Sequence, residues 1–146
     1  MIDVLFVCSG NTCRSPMAMV LFNALCAERG LPYRAESAGV HANQGNAASD
    51  GAFHAMKERG LSLARHAAQP FTLMLAREAR LVVAMSESHA AIIRARYPAV
   101  RMVVFDPPIR DPYGGSITQY RATADALAAR MEWVLEQLQK LDDSKG

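Results

Sequence analysis

Cys8 and Arg14 stand with five residues between them in "VCSGNTCRSP", residues 7–16. The stretch separates the apolar run "IDVLFV" from "MAMVLFNALCAERG", so it reads as a loop from a strand into a helix. At a helix N-terminus the unpaired N–H groups and the dipole favour an anion. A five-residue span lets successive N–H groups converge into a nest sized for a tetrahedral oxyanion. Gly10 can take positive φ, Asn11 tolerates left-handed backbone, and Pro16 suits a first helical turn, where a missing N–H costs little. The field that attracts phosphate also favours the thiolate of Cys8. Arg14 can grip two phosphoryl oxygens at once, and Ser15 can donate its hydroxyl to the sulfur. Together these residues suit nucleophilic attack on phosphorus, with the charge held by N–H groups and a guanidinium.

Other uses of the same residues are weaker. Cys8 and Cys13 lack a second pair with zinc spacing, and His41, His54, His66 and His89 are scattered. No Gly-Lys-Ser/Thr follows, so a nucleotide P-loop is excluded.

The elements that must position this loop can be read around it. "YRAESAG" (33–39), "LVVAM" (81–85) and "RMVVF" (101–105) are further strand candidates, giving four. Helices are expected from Ser49 or Asp50 to Gly60, after Thr72, after Ser86 up to Pro98, and as one long element from Ile117 to Leu141. The shared "ERGL" at 28–31 and 58–61 reads as helix-stop chemistry used twice. Residues 141–146 are expected to be a frayed tail. Strands alternating with helices predict an α/β fold: one domain, a four-stranded parallel sheet with helices on both faces, and the phosphate-binding loop between the first strand and first helix. Ligands of such sheets bind beyond the carboxyl ends of the strands, so loops 8–16 and 106–116 should share one edge.

The bulk composition agrees. The chain has 146 residues, 51% hydrophobic and 21% charged, with a net charge of +2, as in a soluble globular domain with no announced nucleic-acid surface. No apolar run approaches the ~20 residues of a membrane span. Three cysteines, an odd number, point to a reducing compartment, and the cytoplasm is the expected location.

"VCSGNTCRSP" resembles the active-site loop of the low-molecular-weight protein tyrosine phosphatases. The resemblance extends over nearly the whole chain, through "SAG" at 37–39, His66, "LVVAM" and "DPYGGS". It implies one phosphatase domain over residues 1–146 and hydrolysis through a phosphocysteine at Cys8. Asp111 is implied as the acid that protonates the leaving group, with Asp106 of "FDPP" as the rival, more suited to a turn. Tyr113 would wall the substrate or else pack on the core. Ser9, Gly10, Asn11, Thr12, Cys13 and Ser15 make up the phosphate-binding loop, and Ser37 and His66 support it. Cys13 has two readings, a reversible disulfide partner of the nucleophile or a small buried filler. Cys26, mid-helix among Phe22 and Leu25, reads as core.

The protein arginine phosphatases of the same family share more with this chain: "GNTCRSPMA", "SAGV" and an Asp-Pro-aromatic-Gly-Gly-Ser-Ile stretch. Tyr113 departs from the Phe of those members. Thr12 could offer a hydroxyl to a guanidinium, so phosphoarginine is the favoured substrate and phosphotyrosine the alternative. An arsenate reductase would need further cysteines downstream of Cys26, and none occurs. A non-catalytic phosphate-binding module would not need Cys8, Arg14 and Asp111 together. Phosphorylated proteins are the partners implied. No metal or cofactor is, because Arg14 and the backbone can hold the charge.

Overall fold

A computed structural model of the chain describes residues 1–143. Four strands, β1 (Ile2–Cys8), β2 (Ala35–Gly39), β3 (Ala79–Ala84) and β4 (Met102–Val104), form one parallel sheet in the order β2-β1-β3-β4. Around it lie α1 (Arg14–Glu28), α2 (Asp50–Lys57), α3 (Leu73–Glu78), α4 (Glu87–Arg96), α5 (Ile117–Ala128) and α6 (Met131–Asp143). This is the α/β architecture expected, with helices on both faces.

β1 is central and apolar on both faces, as a doubly covered parallel strand must be. Val4, Phe6 and Cys8 point into a core built with α1, α2, α5 and α6, where Phe6 meets Phe22 edge-on. Leu5 and Val7 point the other way, into a core with Phe71 and the α4 residues Ala90 and Ile93. Chain order reverses on either side of β1, and the loop leaving β1 therefore opens into the crevice of a topological switch point.

The helix stops behave as read: Gly30 and Gly60 take φ of 66° and 77° after α1 and α2. Ser49 and Thr72 accept bonds from the N–H groups of Ala52 and Leu75, capping α2 and α3. Ser86 makes no such cap, because its hydroxyl is engaged with Ser88 and His89. β2 and β4 are shorter than the stretches 33–39 and 101–105 that announced them.

Two expectations need correction. The long helix over 117–141 is two helices, α5 and α6, joined at Ala129–Arg130. Arg130 N–H bonds back to Leu127, and its side chain leaves the helix line to reach the Pro107 carbonyl and the Phe105 ring. The frayed tail expected from Leu141 is not found as far as Asp143. Leu141 to Asp143 complete α6, and Asp142 pairs with Arg80 and accepts from the Tyr33 hydroxyl. Residues 144–146 lie outside the described residues.

Candidate active site

Cys8 ends β1 and is paired in register with Gly39 at the end of β2. The chain then turns sharply, and α1 begins at Arg14, three residues earlier than "MAMVLF" suggested. The turn requires Asn11 at φ 58°, which Asn adopts at modest cost. Gly10 does not take the positive φ it could supply. Pro16 falls within the first turn of α1, as its missing N–H allows.

Asn11 is fully buried and fixes the loop by four groups. Its amide nitrogen donates to Ser15 Oγ at 2.8 Å and to Ser37 Oγ at 2.9 Å. Its Oδ1 accepts from the Gln69 N–H at 3.0 Å, and its carbonyl lies 2.7 Å from His66 Nε2. Ser37 and His66 thus sit beneath and behind the loop, where supports belong. Ser15 Oγ lies 2.8 Å from Cys8 Sγ and 3.4 Å from the Ala38 carbonyl. It has one proton, which it can give to the sulfur when Cys8 is a thiolate or to the Ala38 carbonyl when the Cys8 thiol is itself the donor.

Arg14 is buried although charged. One guanidinium nitrogen donates to the Ile109 carbonyl at 3.2 Å, and another lies 3.6 Å from Asp111 Oδ2. The two unusual loops do share one edge, and Arg14 joins them. Asp111 is half exposed, and its Oδ1 caps the Tyr113 N–H at 3.0 Å. A cavity of about 290 Å³ opens above Cys8, lined by the loop from Gly10 to Arg14, by Asp111 and Tyr113, and by His41, Asn43 and Asn46. Asp106 does not line it. Tyr113 is 75% exposed, so it stands at the rim rather than packing on the core.

Thr12 is half-buried on the cavity wall. Cys13 Sγ faces Ser49 Oγ at 3.2 Å and the Tyr120 hydroxyl at 3.5 Å. Burial first, and the Cys13 contact second, push the Tyr120 hydroxyl up to about 12. Cys8, Cys13 and Cys26 are all free thiols. Cys26 is core as expected, with its thiol pushed upward mainly by burial.

Four contributors escaped the sequence reading. His41, Asn43 and Asn46 come from the β2–α2 connection, to which the sequence assigned no part in the site. His89 lies 2.9 Å from Ser9 Oγ, which turns away from the cavity. Burial, then the Arg14 charge, lowers His89 from 6.5 to about 4, so it is neutral near pH 7. Among the described residues no His, Cys, Asp and Glu gather into a metal-ligand cluster, and no helix is long and apolar enough to cross a membrane.

The family model described as low molecular weight phosphotyrosine protein phosphatase matches residues 3–144. The chain belongs to this family and is a low-molecular-weight protein phosphatase. It is 37% identical to a protein-arginine-phosphatase of Bacillus subtilis over 94% of this chain and 97% of the relative. It is 34% identical to low molecular weight protein-tyrosine phosphatase A of Mycobacterium tuberculosis, over 94% of each. Among solved structures, the YwlE arginine phosphatase, in a cysteine-to-serine mutant with a phosphorylated active-site serine, superposes with a TM-score of 0.89 at 34% identity, covering 95% of this chain and 97% of that one.

Proposed function

We propose that the chain hydrolyses phosphoarginine in proteins through a phosphocysteine at Cys8, with Arg14 and Asp111 as its catalytic partners. Cys8 thiolate attacks phosphorus, and the P–N bond breaks as Asp111 delivers its proton to the departing guanidine nitrogen. Arg14 and the loop N–H groups hold the equatorial oxygens. Water, losing its proton to Asp111, then cleaves the P–S bond and releases phosphate and thiolate. The Ser15 hydroxyl, 2.8 Å from the sulfur, can donate to the thiolate at both ends of the cycle.

The observation that carries the reading is one cavity holding Cys8, Arg14 and Asp111, with Thr12 on its wall. Among the described residues Thr12 Oγ1 has only a long 3.8 Å contact, to Cys13 Sγ, leaving it able to accept a guanidinium N–H. The activity named for the Bacillus relative points the same way. Phosphotyrosine is the second reading. It is favoured by the exposed Tyr113 ring at the rim, which could stack on an aryl group, and by the name of the Mycobacterium relative.

The reading takes residues 1–146 as one phosphatase domain acting on phosphorylated proteins in the cytoplasm, where three free thiols are at home. Turnover of phosphoarginine and phosphotyrosine peptides side by side tests it. A higher kcat/KM on phosphoarginine is expected; inertness to it returns the chain to phosphotyrosine.

A further inference from the structure

Ser9 follows the nucleophile directly, yet its side chain faces α4. Its Oγ lies 2.9 Å from His89 Nε2, and His89 Nδ1 lies 2.9 Å from Ser86 Oγ at the start of the same helix. His89 is only 4% exposed. The Ser9 carbonyl is fixed as well: it accepts the His41 N–H at 2.9 Å and lies against Gly39, where a Cβ would come within 2.4 Å of it. Ser9 is therefore held through its backbone from the β2 side and through its side chain from the α4 side. The peptides after Ser9 carry the N–H groups that must converge on an oxyanion, and any rotation at Ser9 turns them together.

We propose that His89 is a positioning residue for the phosphate-binding loop, acting through Ser9. A neutral imidazole has one donor and one acceptor nitrogen, and the hydroxyls of Ser9 and Ser86 can each take either role. The chain from Ser86 through His89 to Ser9 is thus satisfied in either tautomer and adds no charge near Arg14. α4, which contributes nothing to the cavity lining, sets the loop in its binding-ready shape. The inference rests on the phosphatase reading of Cys8.

The test separates the two ring nitrogens. Gln at 89 can present its amide where Nε2 stands, whereas Asn reaches only the position of Nδ1. Inorganic phosphate affinity, measured by calorimetry in the Cys8→Ser protein, reads the loop's shape without turnover. kcat/KM on an aryl phosphate reads it in the active enzyme. His89→Gln should retain most of both, while His89→Asn and Ser9→Ala lose about tenfold in each, the cost of one buried hydrogen bond. Adding His89→Asn to Ser9→Ala should cost nothing further. The inference is overturned if Gln serves no better than Asn, or if the two losses multiply. Phosphate binding that follows this pattern in a protein inert to every phosphorylated peptide would sink the function and spare the positioning role.

Discussion

Asp111 and Thr12 face the same cavity, but their losses should look different. An acid matters in proportion to the basicity of the group it protonates. Asp111→Asn should therefore cut kcat by two or more orders of magnitude on a poor leaving group and far less on an activated aryl phosphate. A series of aryl phosphates of graded leaving-group acidity measures this, and the assignment fails if Asp106→Asn shows the steeper dependence instead. Thr12→Ile removes a hydroxyl and adds apolar bulk while sparing Cys8 and Arg14, so aryl phosphate turnover should persist. The ratio of phosphoarginine to phosphotyrosine kcat/KM should fall about tenfold if the hydroxyl reads a guanidinium, and an unchanged ratio removes Thr12 from specificity. The place of Thr12 was legible because a loop of contiguous residues declares its own geometry, whereas Asp111, on a separate strand-end loop, was read from the resemblance. His41, Asn43, Asn46 and His89 were not legible, because only the order β2-β1-β3-β4 brings their connections to the end of β1.

Elements hold the loop through close backbone approach as much as through side chains. Gly39 ends β2 opposite Cys8, and a Cβ there would lie 2.4 Å from the Ser9 carbonyl and 3.0 Å from the Asn11 nitrogen. Both obstacles are backbone of the loop itself, so neither can swing aside. Gly39→Ala should destabilise by about 1–3 kcal/mol and lower phosphate affinity with it. Urea unfolding and phosphate titration together check this; a stable variant with full affinity would mean the loop yields where the geometry says it is pinned. The "SAG" stretch thus carries a packing constraint, visible in the sequence only as a resemblance. The α5–α6 break was invisible for a different reason. Tyr120, Ala124, Leu127, Met131, Val134 and Leu138 keep helical spacing across the joint, and no Gly or Pro lies between Ile117 and Asp143. Only the long-range attachments of Arg130 to Phe105 and Pro107 show why the chain turns there.

At the scale of the molecule, binding and stability draw on the same buried groups. The buried Arg14, proposed above to hold an anion, also bears on His89 through its charge. His89 faces Arg14 on α1, Asp111 on the late loop and His41 on the β2–α2 connection. Burial dominates, the Arg14 and His41 charges act with it, and Asp111 opposes them. The net effect lowers His89 from 6.5 to about 4. The sign follows from proton counting. Between about pH 4 and 6.5 the unfolded chain holds the imidazole proton and the folded one does not, so folding stability rises with pH in that window. The contribution is complete above the unfolded value and is lost as the pH falls, by about 2 kcal/mol between pH 7 and pH 5. His89→Gln keeps an amide toward Ser9 but cannot titrate. The stability difference between wild type and His89→Gln should therefore shrink or reverse on acidification, while carboxylates common to both cancel. Urea unfolding of the two proteins at pH 7 and pH 5 measures it. Parallel pH dependences would mean that His89 takes up its proton in the fold as it does in the unfolded chain, and that the loop is held without a buried neutral imidazole.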